Sequence, residues 1–508
     1  MKKWLCITLA LIMVISMTAC EKNSDGKSEI PQGNDEVTEE LHVKEGVPSY
    51  KDDIQIELSA YAGPRRAGYR NFNNAPGTHP EDPEGGWEGW LTEKDFKDYK
   101  DCGFTYLLAD YDALYDTNVP FEGSITQKYM DVAEGTGLGV VVTAEQLTLM
   151  TSSDDYRLNN DMKVMLSEMV ENLSQYKCFK GFSFRDEPNY EWAKTFGAVQ
   201  DYLSEKKSDL FFFTAMLPIY ADPIRFTDHY DGSTENAYRD YIHAFADNTG
   251  TFFYDSYPLY LNPVTGETRL DDTWLQNLRI VAECAKEKDF EPGITVQSCA
   301  FGEWDKENVQ EYKRATNTKA DIGFQVYSSL AYGMKYITYF TYWEHINSSY
   351  AEEFYSAMVM YPEKKGGEPI KTDAYYAVKE VNEEIKKFDH VFLKYDWEGT
   401  MGVTKEGAKK SLMLAQAGDY VSPRIQSVTA TDETIIGCMK DADGYDGFMI
   451  VNMTDPGKNL SDSVTVTFKE ATKAVVYIHG EEKTIDLENG TYTFDLASGE
   501  GVFVIPIV

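Results

Sequence analysis

The stretch Gly181-Phe-Ser-Phe-Arg-Asp-Glu-Pro-Asn189 decides how the fold of this sequence is interpreted. An apolar run of strand length ends there in two adjacent carboxylates, Asp186 and Glu187, followed by a proline. Pro188 cannot donate a hydrogen bond to a β-ladder and favours extended geometry in the residue before it, so the strand is expected to stop here. Successive strand side chains point to opposite faces. The two carboxylates are therefore expected to converge only where the strand gives way to a loop.

Strand-like runs alternate with amphipathic helical segments over residues 54–392. The strand candidates are 54–60, 105–109, 139–143, 181–184, 210–215, 251–254, 293–296 and 336–340. Helical spacing of apolar residues is clearest over 162–173 and 274–285. Strands that are apolar on both faces are typical of a parallel sheet, and eight β/α units in this length predict a (β/α)8 TIM barrel. A doubly wound open sheet is the alternative, but no glycine-rich phosphate loop follows the first strand.

After residue 393 the pattern changes to strict alternation of apolar and polar residues. Val464, Val466 and Phe468 face one way, with serine and threonine between them. Further short strands are expected at 447–451, 474–478, 491–496 and 501–507, separated by Gly and Asn turns. The sequence therefore predicts an all-β sandwich domain over 393–508. We expect its role to be packing more than binding.

The N-terminus has the features of an export signal. Lys2 and Lys3 precede an apolar run that is too short to cross a bilayer comfortably. Met17-Thr-Ala-Cys20 resembles a bacterial lipobox, with methionine in place of leucine, and the resemblance implies lipidation at Cys20. An ordinary secretory signal is the alternative. We expect a lipoprotein signal peptide over 1–20, a disordered tether over 21–53, and an extracytoplasmic protein anchored to the bacterial cell membrane.

Composition bounds the possible partners. The formal net charge of −36 argues against nucleic acid and against binding to an anionic membrane surface, because both require an excess of Lys and Arg. It is compatible with a neutral polymer such as glycan. Five cysteines lie outside the signal segment, widely spaced and odd in number, which predicts buried free thiols and no zinc site or disulfide framework. No metal or organic cofactor is predicted.

The acidic pair at the end of the fourth strand suits the chemistry of glycosidic bond cleavage. That reaction needs a protonated carboxyl for the leaving oxygen and a group that stabilises an oxocarbenium-like centre. TIM barrels keep their catalytic residues at the C-terminal ends of the strands. Glu187 suits the first role if burial or a like-charged neighbour keeps it protonated. The plainer interpretation is an acidic turn that opens the next helix.

The chain resembles clan A glycoside hydrolases, whose fourth strand ends in Asn-Glu-Pro with the glutamate as acid/base. It is more similar to a group of secreted β-galactosidase-like barrels that have Asp-Glu-Pro there. The supporting stretches are Thr214-Ala-Met-Leu-Pro-Ile-Tyr220, Tyr254-Asp-Ser-Tyr-Pro258 and Leu330-Ala-Tyr-Gly-Met-Lys-Tyr-Ile-Thr-Tyr-Phe-Thr-Tyr-Trp343. By position, the resemblance implies Glu187 as general acid/base and Trp343 as a sugar-stacking platform.

Two departures from that family leave the mechanism open. Retaining clan A enzymes have a nucleophilic glutamate at the end of strand seven, where this sequence has Gln297, which cannot attack. The remaining candidates for a second catalytic group are Glu303, Asp255 and Glu344. The pair Asp186-Glu187 also resembles substrate-assisted N-acetylhexosaminidases, in which the aspartate orients the attacking acetamido oxygen of the substrate. That mechanism would need no glutamate on strand seven.

Aromatic residues are frequent, and aromatic rings stack on the apolar faces of sugars while polar groups bond the hydroxyls. A long loop rich in Gly and Pro follows the first strand and carries aromatic and arginine residues, and long ordered loops are often functional. The residues predicted to bind substrate are Trp343, Asp255, Tyr257, Gln297, Glu344, Glu145 and Arg65.

Motifs of other enzyme classes are missing from the sequence. It contains no Gly-x-Ser-x-Gly elbow, no P-loop and no His-Glu-x-x-His zinc helix. The alternative from another class is a non-catalytic surface lipoprotein that binds glycans with a barrel that has lost its nucleophile. We expect a glycoside hydrolase acting on an oligo- or polysaccharide.

Overall fold

The computed structural model describes residues 44–64, 91–109, 115–144, 147–148, 158–262, 264–301, 312–346, 353–354, 356–360 and 367–508. Four of the predicted site residues lie outside this part of the chain: Cys20, Arg65, Glu145 and Glu303. Residues 44–53, expected as the end of the tether, lie against the C-terminal region. The Tyr50 hydroxyl donates to the Asp441 carboxylate at 2.8 Å and lies 2.6 Å from the Tyr395 hydroxyl. The folded part therefore begins before residue 54.

The strands of the first part are β1 Glu57–Ala60, β2 Tyr106–Ala109, β3 Gly139–Thr143, β4 Phe179–Ser183, β5 Phe211–Phe213, β6 Ala215–Met216, β7 Phe252–Asp255, β8 Leu259–Leu261, β9 Thr268–Leu270, β10 Pro292–Gln297, β11 Tyr312–Lys313, β12 Tyr336–Phe340, β13 His345–Ile346, β14 Glu353–Phe354, β15 Val359–Met360 and β16 Ile370–Lys371. The eight predicted strands are all present, the fifth divided into β5 and β6. Their ladders are parallel, in the orders β1-β12-β10-β7-β6 and β2-β3-β4-β5.

These two sheets adjoin at both ends, giving a TIM-barrel-like ring. On one side the chain runs on through 211–216, where β5 pairs with β4 and β6 pairs with β7. On the other side the Thr105 amide donates to the Leu58 carbonyl at 2.8 Å. The predicted α/β class with parallel strands is confirmed. The described ladders nevertheless form two sheets and not one closed barrel.

Amphipathic helices alternate with the strands. They are α1 Glu93–Asp101, α2 Ile125–Thr136, α3 Asn160–Ser174, α4 Ala193–Lys206, α5 Thr234–Thr249, α6 Trp274–Lys288, α7 Lys319–Ala331, α8 Asp373–Ile385 and α9 Asp389–Phe392. Thr92, Ser124 and Asn159 each accept a backbone hydrogen bond at a helix start, which satisfies an amide that would otherwise lack a partner. Within the described residues, no helix combines the length and apolar character needed to cross a membrane.

Aromatic side chains fill the interior of the ring. Five of them come from four strands of the ring and belong to a cluster separate from the main core: Tyr106, Phe211, Phe213, Phe253 and Tyr336. Their ring centroids lie 5.1–5.6 Å apart, mostly in edge-to-face or tilted contacts of the kind aromatic pairs favour. Because the interior is packed, open space for a ligand is expected at the strand ends.

The five cysteines predicted as free thiols are free and buried: Cys102, Cys178, Cys284, Cys299 and Cys438. Burial raises the pKa of the Cys284 and Cys438 thiols to about 12. A thiol with a raised pKa carries little of the reactive thiolate at neutral pH. These two cysteines therefore behave as packing residues.

The C-terminal region is antiparallel, as predicted. Its strands are β17 Tyr395–Val403, β18 Ile425–Ala430, β19 Thr434–Asp441, β20 Asp446–Asn452, β21 Asp462–Phe468, β22 Lys473–Ile478, β23 Glu481–Asp486, β24 Thr491–Leu496 and β25 Gly501–Ile507. One sheet has the order β17-β19-β20-β25-β22-β23 and the other β18-β21-β24. The two sheets make a β-sandwich-like region.

Glycines let this region approach the helix α7 closely. A Cβ on Gly437 would lie 2.0 Å from the Ala331 carbonyl oxygen, and one on Gly499 would lie 2.0 Å from that of Ala320. The side chains of α7 from Asp321 to Ala331 are all buried. The contact is therefore a packed interface in which sheet backbone lies directly on helix backbone.

Replacing Gly437 by alanine should loosen this interface. The new methyl group would meet a backbone carbonyl that cannot rotate away, and overpacking of this kind costs about 1–3 kcal/mol of unfolding free energy. Gly135→Ala is the control, since nothing lies within 4 Å of its Cβ and alanine favours the helix. Urea unfolding of both variants measures the difference. Equal stability of Gly437→Ala and wild type would contradict this packing.

Candidate active site

Glu187 lies just beyond the end of β4 and has an unusual backbone. Its φ is +45°, in place of the extended geometry that a following proline favours. A non-glycine residue in the left-handed region costs about 1–2 kcal/mol. The Glu187 amide donates to the Ala215 carbonyl on β6 at 2.8 Å, so the neighbouring strand holds the turn.

Hydrogen bonds from the following segments fix the Glu187–Asn189 turn. Arg225 donates through Nη2 to the Glu187 carbonyl at 2.5 Å and through Nε to the Asn189 side chain at 2.8 Å. Its Nη1 lies 3.6 Å from the Glu187 carboxylate. The Tyr241 hydroxyl donates to the Pro188 carbonyl at 2.7 Å. The acidic turn is thus held by groups from two other segments of the chain.

Asp186 is open to water at one side and enclosed by protein on the others. The Tyr61 hydroxyl donates to its Oδ1 at 3.4 Å. The surrounding protein, and next the neighbouring Glu187 carboxylate, raise the pKa of Asp186 to about 7. A carboxyl with such a pKa exchanges its proton near neutral pH, as acid–base catalysis requires.

Asp255, the last residue of β7, is the third carboxyl of the group. It is 7% exposed, and its Oδ1 has no hydrogen-bond partner among the residues that the structure describes. Burial raises the pKa of Asp255 well above its usual range, and the charges of Glu187 and Asp186 raise it further. The structure therefore brings together three acids that the sequence placed on the fourth and sixth strands of the ring.

Half-buried aromatic rings line the same end of the strands. Tyr257 lies 5.1 Å from Phe301 and 5.8 Å from Phe340, measured between ring centroids, and Tyr61 lies 5.7 Å from Phe340. Phe301 and Phe340 were not singled out from the sequence. Their position at or just after the C-terminal end of a strand was the available signal. The rings offer apolar faces beside the carboxyl groups.

A small antiparallel sheet, β11-β8-β9, adds basic residues that sequence reasoning missed. Lys313 on β11 donates to the Tyr257 carbonyl, and its ammonium group lies 3.4 Å from the centroid of the Tyr260 ring. The Arg269 guanidinium lies 4.1 Å from the same centroid. Both contacts are cation–π interactions. The bond from Lys313 places positive charge beside Tyr257.

Gln297, at the end of β10, is completely buried, and backbone groups occupy its amide. Its Nε2 donates to the Arg314 carbonyl at 2.7 Å and to the Cys299 carbonyl at 3.3 Å. Its Oε1 accepts the Leu259 amide at 3.3 Å. These contacts give Gln297 a structural role: it ties β10 to the segments that begin β8 and follow β11.

Trp343 and Glu344 follow β12 and are also buried. Trp343 is 1% exposed and Glu344 is 0% exposed. The Trp343 amide donates to the Ala62 carbonyl at 3.1 Å, and the Glu344 amide donates to the Val359 carbonyl at 3.0 Å. Their side chains therefore belong to the packed wall next to β12, whereas Phe340 at the end of that strand is half-buried.

One group of possible metal ligands lies on the outer helices α5 and α6. Ligand atoms of His243, Cys284 and Glu287 lie within 4.8 Å of one another. Arg239 Nη1 lies 3.8 Å from the Cys284 sulfur and 3.9 Å from Glu287 Oε1. A cation there would face the guanidinium group, so we assign the group to the ion pairs that join the two helices.

Comparison with known proteins shows which solved structures have a similar fold. No family model matches this chain, and no curated protein matches it. A solved structure described as a glycoside hydrolase is similar over 91% of this chain and 93% of its own, with a TM-score of 0.50 and 12% identity. A glycoside hydrolase family 5 from Bacteroides vulgatus is similar over 91% of this chain and 89% of its own, with a TM-score of 0.50 and 9% identity. The chain therefore has the TIM-barrel-like fold of glycoside hydrolases, as the clan A resemblance implied.

Gln297→Glu tests whether the missing strand-seven glutamate can be restored. A carboxylate there would face backbone carbonyl oxygens in place of an amide donor, and leaving such buried groups unsatisfied costs about 1–3 kcal/mol each. We expect lower stability in chemical denaturation and no gain in glycoside turnover. Gln426→Glu, on an exposed strand position, is the control. A stable Gln297→Glu protein with increased turnover would instead support a lost nucleophile.

The raised pKa of Asp186 makes a prediction about stability and pH. Below its ordinary value of 3.8, Asp186 is protonated in the folded and unfolded states alike. Between there and about 7 the unfolded chain loses this proton while the folded protein keeps it, so the contribution of Asp186 to stability falls as pH rises. Asp186→Asn does not titrate. Its melting temperature relative to wild type should therefore rise between about pH 4 and about pH 8.

Thermal unfolding of both proteins at the two pH values measures this difference. Asp201→Asn, at an exposed position of α4, controls for the loss of a carboxyl group. A pH-independent difference between Asp186→Asn and wild type would show that Asp186 titrates as an ordinary surface aspartate.

Proposed function

We propose that this protein is an extracytoplasmic glycoside hydrolase in which Glu187 is the general acid/base. The observation that carries this proposal is the convergence of Asp186, Glu187 and Asp255 at the C-terminal ends of parallel strands. Aromatic rings line that end, and the fold is that of glycoside hydrolases. Fold alone supports many activities, so the carboxyl group geometry carries the chemistry.

Glu187 suits proton transfer to the leaving oxygen. Its side chain is 44% exposed, whereas Asp255 is buried. A carboxyl that meets the glycosidic oxygen must be reachable from the cleft, and the turn held by Ala215 and Arg225 keeps Glu187 there. Asp186, with a pKa of about 7, is partly ionised near neutral pH and can then supply negative charge beside an oxocarbenium-like centre.

A substrate-assisted mechanism is the second candidate, and the hydrogen bonding of the Gln297 side chain favours it. Gln297 lies where clan A enzymes carry a nucleophile, and its amide is committed to backbone carbonyls. Asp186 directly precedes the proposed acid and accepts a hydrogen bond from Tyr61. In an N-acetylhexosaminidase that pair would orient and stabilise the attacking acetamido group. The substrate would then carry an N-acetyl sugar.

The proposal includes the location and the partner. Lipidation at Cys20 would anchor the protein to the outer face of the cell membrane, with an oligo- or polysaccharide as substrate. The alternative from another class is a glycan-binding lipoprotein that turns nothing over. The two functions differ in what Glu187 does, because a binding protein does not need a proton donor.

Glu187→Gln should abolish most of the activity. Removing the general acid is expected to lower turnover roughly 10²- to 10⁴-fold, because a glutamine cannot transfer the proton. The assay is hydrolysis of the phenyl galactoside, glucoside and both N-acetylhexosaminides, whose leaving oxygen needs protonation, followed by polysaccharides. Glu191→Gln, an exposed position four residues on, is the matched control.

The sugar that wild type releases separates the two mechanisms. Cleavage restricted to N-acetylhexosaminides, with a further large loss in Asp186→Asn, would indicate substrate assistance. Turnover of plain galactosides or glucosides would indicate a protein carboxylate as the second group. Wild-type turnover that survives in Glu187→Gln would overturn the assignment of the acid, and binding without turnover would favour the glycan-binding function.

A further inference from the structure

A single guanidinium group holds the Glu187 turn at three points. Arg225 binds the Glu187 carbonyl at 2.5 Å, the Asn189 side chain at 2.8 Å and, less closely, the Glu187 carboxylate at 3.6 Å. Arg225 lies 38 residues after Glu187 in the sequence, on the segment that follows β6. No motif links the two residues, and sequence reasoning did not find Arg225.

Arg225 is itself held in place. It ends a short 3-10 turn, Pro223–Arg225, in which the Asp222 carboxylate accepts the Ile224 amide at 3.2 Å. The next residue, Phe226, is completely buried and packs against Tyr241 with ring centroids 5.3 Å apart. Tyr241 in turn donates to the Pro188 carbonyl. The turn and its clamp therefore share one packed support.

We propose that Arg225 is a positioning residue for the general acid/base, an inference that rests on the proposed function. The left-handed conformation of Glu187 carries a backbone cost, and the bond from Arg225 to its carbonyl offsets that cost. By fixing the carbonyl, Arg225 fixes the direction of the Glu187 side chain. It does not need to touch the substrate.

Its charge also lies beside the Glu187 side chain. The Arg225 Nη1 is 3.6 Å from the Glu187 carboxylate, so this ion pair helps to hold the side chain in the direction that the turn sets. Lysine cannot reproduce the three separate contacts, because its donors radiate from one point.

The test uses Arg225→Gln and Arg225→Lys with two aryl glycosides of the sugar that wild type cleaves. A 4-nitrophenyl glycoside needs little help from an acid, whereas a phenyl glycoside needs full protonation of its leaving oxygen. We expect kcat/KM of Arg225→Gln to fall roughly 10- to 100-fold on the phenyl glycoside. On the 4-nitrophenyl glycoside it should fall by less than about 3-fold, since misplacement of the acid matters little there. Arg225→Lys should fall between Arg225→Gln and wild type.

The double variant shows whether Arg225 acts through Glu187. If it does, adding Arg225→Gln to Glu187→Gln should cost nothing further on the phenyl glycoside. Additive losses, or equal losses on both glycosides, would overturn the inference while leaving Glu187 as the acid. Arg239→Gln is the matched control, a half-buried ion-paired arginine on α5 away from the strand ends.

A crystal structure of Arg225→Gln tests the inference without activity. We expect Glu187 to leave its φ of +45° and its carboxylate to shift. An unchanged turn would overturn the inference even if the protein hydrolyses no glycoside. Failure of wild type on every substrate, with a shifted turn in this variant, would instead count against the proposed function alone. Thermal unfolding confirms that the variant is folded.

Discussion

The parallel pairing of β4 with β5 and of β6 with β7 is the constraint on which the site depends. Parallel strands end at the same edge of a sheet, so residues that follow different strands meet there without being near in sequence. The hydrogen bond from the Glu187 amide to the Ala215 carbonyl continues the bonding between neighbouring strands past the end of β4, into the turn. Asp255 ends β7 at the same edge. A TIM-barrel-like ring thus brings together the carboxyl groups of two segments that are far apart in the sequence.

Such a cluster is electrostatically costly, and the surrounding residues show how the protein accommodates it. The surrounding protein and the neighbouring Glu187 carboxylate raise the pKa of Asp186 to about 7. Burial and the charges of Glu187 and Asp186 raise the pKa of Asp255 well above its usual range. Arg225 brings positive charge to Glu187, and Lys313 brings it near Tyr257. The crowding of these carboxyl groups lowers the stability of the folded protein. That pattern is common at functional sites, where pKa values must suit proton transfer.

The elements that sequence reasoning found are those with a local signal. The apolar runs of the ring and the alternation in β21 depend on residues close in the chain, as does the Asp-Glu-Pro turn after β4. The role of Gln297 could not be found that way. Its partners Leu259 and Arg314 lie 38 and 17 residues away, and their backbone positions follow only from the folded ring. Arg225 was missed for the same reason, and the left-handed backbone of Glu187 even opposes the local preference set by Pro188.

The hydrogen bonds that occupy the Gln297 side chain change how a glutamine at the end of β10 is explained. If the glutamine were only the trace of a lost nucleophile, its amide would be expected to face the cleft. It is instead completely buried, and its nitrogen serves the carbonyls of two segments that wall the ring. The candidates for the group that stabilises the oxocarbenium-like centre are then Asp186, Asp255, Glu344, the substrate itself and residues outside the described part of the chain. Among these, Asp186 has both the raised pKa and the exposure to meet a substrate group, which favours a mechanism built on the acidic pair at the end of β4.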